Sequence, residues 1–243
     1  MNDTFTVEIA GIVIGIQHRY EYVKMLCRDY ITDRKPDFVV SAEDSEIDRE
    51  LRDGGVCAPR SYAEATCLHR QIACRLSEYD AFLLHSAVIS CEGRGYAFAA
   101  RSGVGKSTHI ALWKKNFGDR VQIVNGDKPI VRMKNGLFYA YGTPWRGKEG
   151  QGLNISCPLN AICFLERGKE NRIRATEKEE ILSRLFLQVF LPPDATGAVK
   201  TLELIDTLIR KTDFYVLSCN MEKEAADVAY IGMTNNLQKG NQK

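Results

Sequence analysis

The stretch FAARSGVGKSTH, positions 98–109, decides the fold of this 243-residue chain. A short apolar run leads into Gly103-Val104-Gly105-Lys106-Ser107, and the residues that follow favour a helix. Two glycines let consecutive backbone N–H groups turn inward to form a concave anion site, and a helix that begins here points its positive end at the same anion. The stretch therefore predicts a phosphate-binding loop between a strand and a helix.

The side chains of this loop predict a nucleotide site. Lysine supplies a point charge for the β- and γ-phosphates, and the serine hydroxyl is a ligand for Mg²⁺. The pattern G-x-x-x-x-G-K-[ST] asks for glycine where this chain has Ala100, and alanine fits if the backbone needs no positive φ there. A chance glycine-rich turn is the alternative. We predict that ATP and Mg²⁺ bind at Ser102, Gly103, Val104, Gly105, Lys106, Ser107 and Thr108.

The overall composition is ordinary for a globular protein, with 44% hydrophobic and 26% charged residues and a net charge of +2. The basic residues are scattered and form no nucleic-acid footprint. No apolar run approaches the roughly 20 residues that span a bilayer, and the N-terminus lacks a signal-peptide pattern. We expect a cytoplasmic protein that binds neither nucleic acid nor membrane. The oligomeric state stays open, and a homo-oligomer is compatible with the sequence.

Cysteine and histidine spacing predicts no second metal site. The chain has eight cysteines, and no two of them form a C-x-x-C pair. The four histidines show no H-x-x-x-H spacing. In a cytoplasmic chain, we interpret the cysteines as small buried apolar residues that stay reduced.

The first sixty residues predict a small α+β unit. Polar and apolar residues alternate over 4–9, and a second apolar run covers 12–16, which indicates a β-hairpin. Helical spacing follows over 20–31, and Gly54-Gly55 breaks the pattern. We place this unit at 1–60 and see no catalytic chemistry in it.

The remainder predicts a larger α/β domain at 61–234. A capping box, Ser61 to Glu64, opens its first helix, and Asn135-Gly136 marks a hairpin further on. Strands and hairpins alternate with helices, which favours a mixed sheet over a purely parallel one. We expect the polar segment 235–243 to be a flexible tail.

Two further stretches resemble a known family. Leu84-His85-Ser86-Ala87-Val88 lies on the strand that precedes the loop hairpin, and GTPWRGKEGQGLNISCPLNAICFLERG covers 142–168. With the phosphate loop, they resemble the HPr kinase/phosphorylase family, which shares its nucleotide-binding core with phosphoenolpyruvate carboxykinases. The resemblance covers about 81–233 and implies an α/β fold with a mixed-sheet P-loop core.

The resemblance also implies roles for single residues. Lys106 and Ser107 would hold the phosphates and Mg²⁺, and His85 would lie beside the γ-phosphate. Asp127 falls where the family keeps an acidic pair for metal binding and general-base catalysis, but Gly126 replaces one carboxylate here. One carboxylate would then serve both purposes. The alternatives are a core histidine at position 85 and a turn residue at position 127.

A polar loop at 144–152 contributes further candidates. Arg146 and Lys148 are cations of the kind that neutralise a transferring phosphoryl group, and we predict a catalytic role for Arg146. A solvated basic loop is the alternative. Trp145 beside them either covers the site or anchors the loop. A later cluster, Arg167, Arg172 and Arg174, we interpret as a solvated face.

Together these features predict an ATP-dependent kinase that transfers the γ-phosphate to a hydroxyl of a protein, a peptide or a small molecule. The alternative is a non-catalytic nucleotide-binding regulator, because one expected carboxylate is missing at Gly126. Carboxykinase chemistry is disfavoured, because the chain is short and shows no additional metal-ligand set.

Overall fold

The structure is a computed structural model that describes residues 3–53 and 58–240, with side chains to residue 234. The strands are β1 (Asp3–Ile9), β2 (Ile12–His18), β3 (Phe38–Ser41), β4 (Ala81–Leu83), β5 (Ser86–Cys91), β6 (Arg94–Ala99), β7 (Val121–Asn125), β8 (Ile130–Lys134), β9 (Leu137–Tyr141), β10 (Ser156–Arg167), β11 (Arg172–Ala175) and β12 (Asp213–Cys219). The helices are α1 (Glu21–Leu26), α2 (Asp44–Asp53), α3 (Arg60–Arg75), α4 (Lys106–Phe117), α5 (Lys178–Leu185), α6 (Ala195–Lys211) and α7 (Glu224–Gly240). Short 3-10 turns cover Arg28–Tyr30, Leu76–Tyr79 and Gly118–Arg120.

The N-terminal residues form a separate three-stranded sheet in the order β1-β2-β3. The predicted hairpin is confirmed: β1 and β2 pair antiparallel, and Ala10 and Gly11 make the turn with φ of 55° and 72°. Two successive positive φ angles match the twist of the flanking strands. Helix α3 contributes Leu68 and Ile72 to the core of this sheet, so the helix predicted to open the second domain packs on the first sheet.

The predicted capping box at the start of α3 is wrong. The helix begins at Arg60 with Pro59 as its N-cap, and no side chain caps it. Glu64 is instead fully buried, and its carboxylate accepts hydrogen bonds from the backbone N–H groups of Arg19 (2.6 Å) and Tyr20 (3.1 Å). The carboxylate therefore accepts hydrogen bonds from the backbone between β2 and α1, and it does not cap its own helix.

The second sheet has nine strands and is mixed, as predicted. Strand β10 pairs parallel with β6 and with β12, while the other pairings in this sheet are antiparallel. The hairpin between β8 and β9 turns at Asn135 and Gly136 with φ of 51° and 77°, which confirms the Asn-Gly turn. The phosphate loop follows β6 directly, at the edge where parallel strands end.

Helices cover both faces of the large sheet. On one face, Trp113 of α4 and Ala226 of α7 pack on Tyr96 and Phe98 of β6. On the other face, α5 and α6 pack on the side chains of the sheet that point away from α4 and α7. The side chains of both cores are buried. Alternate residues of β6 therefore face opposite cores, which holds rigid the strand that ends in the loop.

Some of the predicted domain boundaries lie outside the residues that the structure describes. The break at Gly54-Gly55 lies outside them, as do residues 241–243 of the expected tail. Helix α7 runs to Gly240 and so includes the first residues of that tail. Among the described residues, no helix combines the length and the apolar character that a bilayer crossing requires.

Candidate phosphate site

The loop between β6 and α4 is open and depends on its glycines. Gly103 and Gly105 have φ of 79° and 130°, values that side-chain-bearing residues rarely adopt. A Cβ built on either glycine meets no atom within 4 Å, so the space on that side of each glycine is open. Ala100 does not adopt a positive φ, which explains why alanine serves where the motif asks for glycine.

The lysine of the loop lies at the start of α4 and is buried. Lys106 is 8% exposed, and its Nζ donates to the carbonyl of Ala100 at 3.0 Å. The same Nζ lies 3.0 Å from His85 Nε2. Burial lowers the pKa of Lys106 from its ordinary value, while the charge of Asp127 opposes that shift.

Lys106, His85 and Asp127 lie in contact with one another through His85, and we call these three side chains the polar line. His85 lies between β4 and β5, where its backbone N–H donates to Gln188 O at 2.7 Å. Its Nε2 lies 3.2 Å from Asp127 Oδ1. Burial opposes ionisation of Asp127, but the hydrogen bond to His85 and the charges of Lys128 and Lys106 outweigh it, so the pKa of Asp127 lies below its ordinary value. Asp127 is therefore ionised at neutral pH.

Asn125 shapes the turn that presents this carboxylate. It is fully buried at the end of β7, and its Oδ1 accepts the backbone N–H groups of Asp127 (2.8 Å) and Lys128 (2.7 Å). Its amide nitrogen donates to Thr143 Oγ1 at 3.0 Å. Position 127 is thus a turn residue and also a member of the polar line, so the two interpretations of Asp127 do not exclude each other.

The missing second carboxylate at position 126 has a packing explanation. A Cβ on Gly126 would lie 3.0 Å from the carbonyl of Arg146 and 3.1 Å from that of Gln151. The Gly126 N–H donates to the Gln151 carbonyl at 2.9 Å. A second acidic side chain at position 126 would therefore be in tight contact with the loop that follows β9.

That loop is anchored to the N-terminal unit. Trp145 Nε1 donates to Ala65 O of α3 at 3.1 Å, and the indole stacks on His69 with ring centres 4.4 Å apart. Arg146 Nη2 pairs with Asp29 at 2.9 Å. Of the two roles considered for Trp145, the contacts favour anchoring the loop.

A cavity of about 850 Å³ connects these groups. Its floor is formed by the phosphate loop with Lys106, His85 and Asp127, and the loop after β9 forms one wall. Helices α1 and α3, which both pack against the N-terminal sheet, also line the cavity, with Met25 and Tyr62, which are 60% and 55% exposed. The volume lies in the usual range for small-molecule sites, so the cavity has space for a ligand beyond the phosphate groups.

The structure brings together most of the predicted site residues. Ser102, Gly103, Gly105, Ser107 and Thr108 line the same cavity as the three-residue polar line. Val104 is half-buried and packs on the core beneath α4, so its side chain does not face the cavity. Arg146 lies on the far wall, where its guanidinium is paired with Asp29. The catalytic role of Arg146 stays a prediction.

A second histidine supports the loop from below. His109 of α4 is 2% exposed, and its Nε2 accepts a hydrogen bond from Trp113 Nε1 at 3.0 Å. Burial lowers the pKa of His109 to about 4, so the ring is neutral near pH 7. This histidine therefore has a packing role under the phosphate loop.

Three residues near the site were not predicted from the sequence. Asp29 belongs to the N-terminal unit at 1–60, which had no visible chemistry, and His69 belongs to α3, and both reach the cavity only through tertiary packing. Arg167 was interpreted as part of a solvated face, but its Nη2 donates to the Gly103 carbonyl of the loop at 2.5 Å. Its position at the end of a strand parallel to β6 is the signal that would have placed it there.

The residues present also fit Mg²⁺. This ion keeps several waters and is typically held by one or two carboxylates together with substrate phosphates. Asp127 and the Ser107 hydroxyl, both on the cavity wall, suffice for that mode of binding. Among the described residues, the group of three potential protein ligands that lies close together is elsewhere, at Asp3, His18 and Glu21.

Comparison with solved structures shows distant structural similarity, without a match in sequence. No family model and no curated protein matches the chain. Among solved structures, the HPr(Ser) kinase/phosphatase from Coxiella burnetii is similar at 9% sequence identity and a TM-score of 0.39, over 65% of this chain and 92% of that chain. We draw the function from the residues of the site itself.

Proposed function

We propose that this protein is an ATP-dependent phosphotransferase that moves the γ-phosphate to a hydroxyl acceptor. The observation that carries the proposal is the line Lys106, His85 and Asp127, with neighbouring atoms 3.0 and 3.2 Å apart, on the floor of a cavity lined by a phosphate loop. A cation for the phosphates and an ionised base for the acceptor meet at one place. Phosphoryl transfer requires little else from a protein than positioning and charge neutralisation.

Asp127 acts as the general base. Its carboxylate is ionised at neutral pH and faces the cavity, so it accepts the proton of the acceptor hydroxyl as that oxygen attacks the γ-phosphorus. The phosphorus–oxygen bond to the β-phosphate breaks as the new bond forms, and ADP leaves. The Asn125 side chain fixes the turn that aims this carboxylate.

His85 connects the cation to the base. His85 Nε2 accepts a hydrogen bond from Lys106 only when Nε2 carries no proton. The same nitrogen donates a hydrogen bond to Asp127 only when it is protonated. The two contacts therefore alternate. When the Lys106 ammonium turns to the phosphates, Nε2 is free to hold a proton and orient the Asp127 carboxylate.

The backbone N–H groups of residues 103–107 and the N-terminus of α4 would hold the phosphates, and Ser107 with Asp127 would hold Mg²⁺. When bound, the ion neutralises charge on the β- and γ-phosphates. Asp127 would then have both a metal ligand role and the base role, because position 126 is glycine and supplies no second carboxylate.

Transfer of labelled phosphate tests this function. Purified protein is incubated with γ-labelled ATP, Mg²⁺ and a fractionated cell extract, with the Asp127→Asn variant as the matched control. We expect label in an acceptor fraction with the wild type and little with the variant. Nucleotide binding with no acceptor labelled in any fraction would support the regulatory alternative, and equal labelling by the two proteins would contradict the base assignment.

A further inference from the structure

Arg167 occupies a fixed place beside the phosphate loop. Strand β10 pairs with β6 as far as Phe164 and Ala99, where the chain of β6 turns into the loop. Strand β10 continues to Arg167, and β12 holds this extension through the pairing of Arg167 with Cys219. The end of β10 thus projects past β6 next to the loop, and Arg167 is its last residue.

The turn after Arg167 is equally constrained. Gly168 N–H donates to Cys219 O at 2.9 Å, and a Cβ at Gly168 would lie 2.0 Å from Ser218 Oγ. A side chain at this position would therefore force the Ser218 side chain to move. The backbone that presents the Arg167 guanidinium is therefore well defined.

The guanidinium contacts the loop but has no acidic partner among the described residues. Its Nη2 donates to the carbonyl of Gly103 at 2.5 Å. Arg172 and Arg174 of the same predicted cluster pair with Glu170 and Glu180, and the neighbouring Glu166 pairs with Arg184. Among the described residues, Arg167 is thus the one arginine of the three whose contacts include a carbonyl but no carboxylate.

We propose that Arg167 binds the phosphates of the nucleotide directly, as a second cation beside Lys106 that comes from a different strand. This inference rests on the proposed nucleotide function. A charged phosphate oxygen is a stronger acceptor for a guanidinium than a peptide carbonyl, and the planar fork of arginine matches phosphate in a bidentate way. Phosphate binding therefore draws Nη2 away from the Gly103 carbonyl.

The test compares the binding of Mg-ATP and of inorganic tripolyphosphate by calorimetry. Arg167→Gln removes the charge at the loop, and Arg172→Gln is the matched control, because Arg172 is an exposed arginine of the adjacent strand β11, paired with Glu170. We expect Arg167→Gln to lower the affinity for both ligands about 10- to 100-fold, which is the usual effect of losing a hydrogen bond to a charged group. Arg172→Gln should bind both as the wild type does.

Arg167→Lys separates a phosphate contact from a role in holding the loop. Lysine supplies the single donor that the Gly103 carbonyl needs, but it lacks the fork that binds phosphate in a bidentate way. We expect affinity between those of the wild type and Arg167→Gln. Full wild-type affinity in Arg167→Lys would overturn the direct contact. Equal binding by Arg167→Gln and Arg172→Gln would also overturn it, whereas no binding of Mg-ATP by the wild type would overturn the nucleotide function with it.

Discussion

His85 Nε2 lies 3.2 Å from Asp127 Oδ1, so a histidine at a strand junction and a carboxylate from a turn on another strand share one contact. The same nitrogen lies 3.0 Å from Lys106 Nζ. A charge change at any of the three groups therefore acts on the other two. Burial lowers the pKa of Lys106 and the charge of Asp127 opposes that shift, while the contact with His85 and the charge of Lys106 help to lower the pKa of Asp127 against its burial. The first two predictions follow from it.

Asp127→Asn should reduce phosphoryl transfer about 10²–10⁴-fold, the usual loss when a general base is removed. Asparagine keeps the size and hydrogen-bonding capacity of the side chain but is not basic. Mg-ATP affinity, measured on the same protein, should change much less if the carboxylate is chiefly a base. A parallel loss of affinity that raised Mg²⁺ recovers would assign it to the metal. Asp119→Asn, at a fully exposed carboxylate, is the control.

His85→Gln should slow transfer less than Asp127→Asn, because His85 acts through the carboxylate and not on the acceptor. Since the two residues are in contact, their effects should not add: the double variant should be about as slow as Asp127→Asn alone. Rates of single turnover for the four proteins give the coupling. Strict additivity of the two losses would show that His85 and Asp127 act independently.

Asp29→Asn should loosen the loop after β9 without unfolding the protein. The Arg146–Asp29 pair is partly exposed, with 19% and 45% of the two side chains accessible, so its loss should cost at most about 1 kcal/mol of unfolding free energy. Amide exchange in residues 144–150 should become faster, because Arg146 no longer holds the loop to the N-terminal unit. Asp33→Asn, at an exposed aspartate nearby in the sequence, should leave exchange unchanged.

Stability should fall with acid through two histidines, the buried His109 and the half-buried His69. Burial lowers the pKa of His109 to about 4 and that of His69 to about 3, against an ordinary 6.5. The unfolded chain therefore binds more protons, and stability is fully present above pH 6.5 and lost as the pH falls toward 4. His109→Gln, which still accepts from Trp113, should flatten the curve by up to about 1.4 kcal/mol per pH unit. Urea unfolding from pH 4.5 to 7.5 measures it, and an unchanged slope would mean that His109 is solvated.

Local signals in the sequence predicted much of the fold. The hairpin of β1 and β2 follows from the alternation of polar and apolar residues on either side of Ala10-Gly11, and the hairpin turn at Asn135-Gly136 follows from two residue types that tolerate positive φ. The loop glycines follow from the same rule. These features depend on neighbours in the chain, which a single sequence displays.

Features that depend on distant packing were not predictable. Glu64 looked like part of a helix cap but is buried against the backbone of Arg19 and Tyr20. Arg167 looked solvated because its contact to Gly103 exists only through the parallel pairing of β6 and β10. The N-terminal unit showed no chemistry, yet Asp29 holds the loop that lines the cavity. Each of these contacts joins segments that are far apart in the sequence, so the pattern around one residue does not reveal its partner.

The central claim is that the loop around Lys106 binds a nucleotide through its phosphates, and the melting temperature in Mg-ATP tests it most directly. A ligand that binds only the folded state stabilises it by about 2.7 kcal/mol at one hundred times its Kd. We predict a clear rise for the wild type and for Lys115→Met, an exposed lysine of the same helix, and little or no rise for Lys106→Met. An unchanged melting temperature for the wild type in saturating Mg-ATP, or an equal rise in Lys106→Met, would contradict the claim.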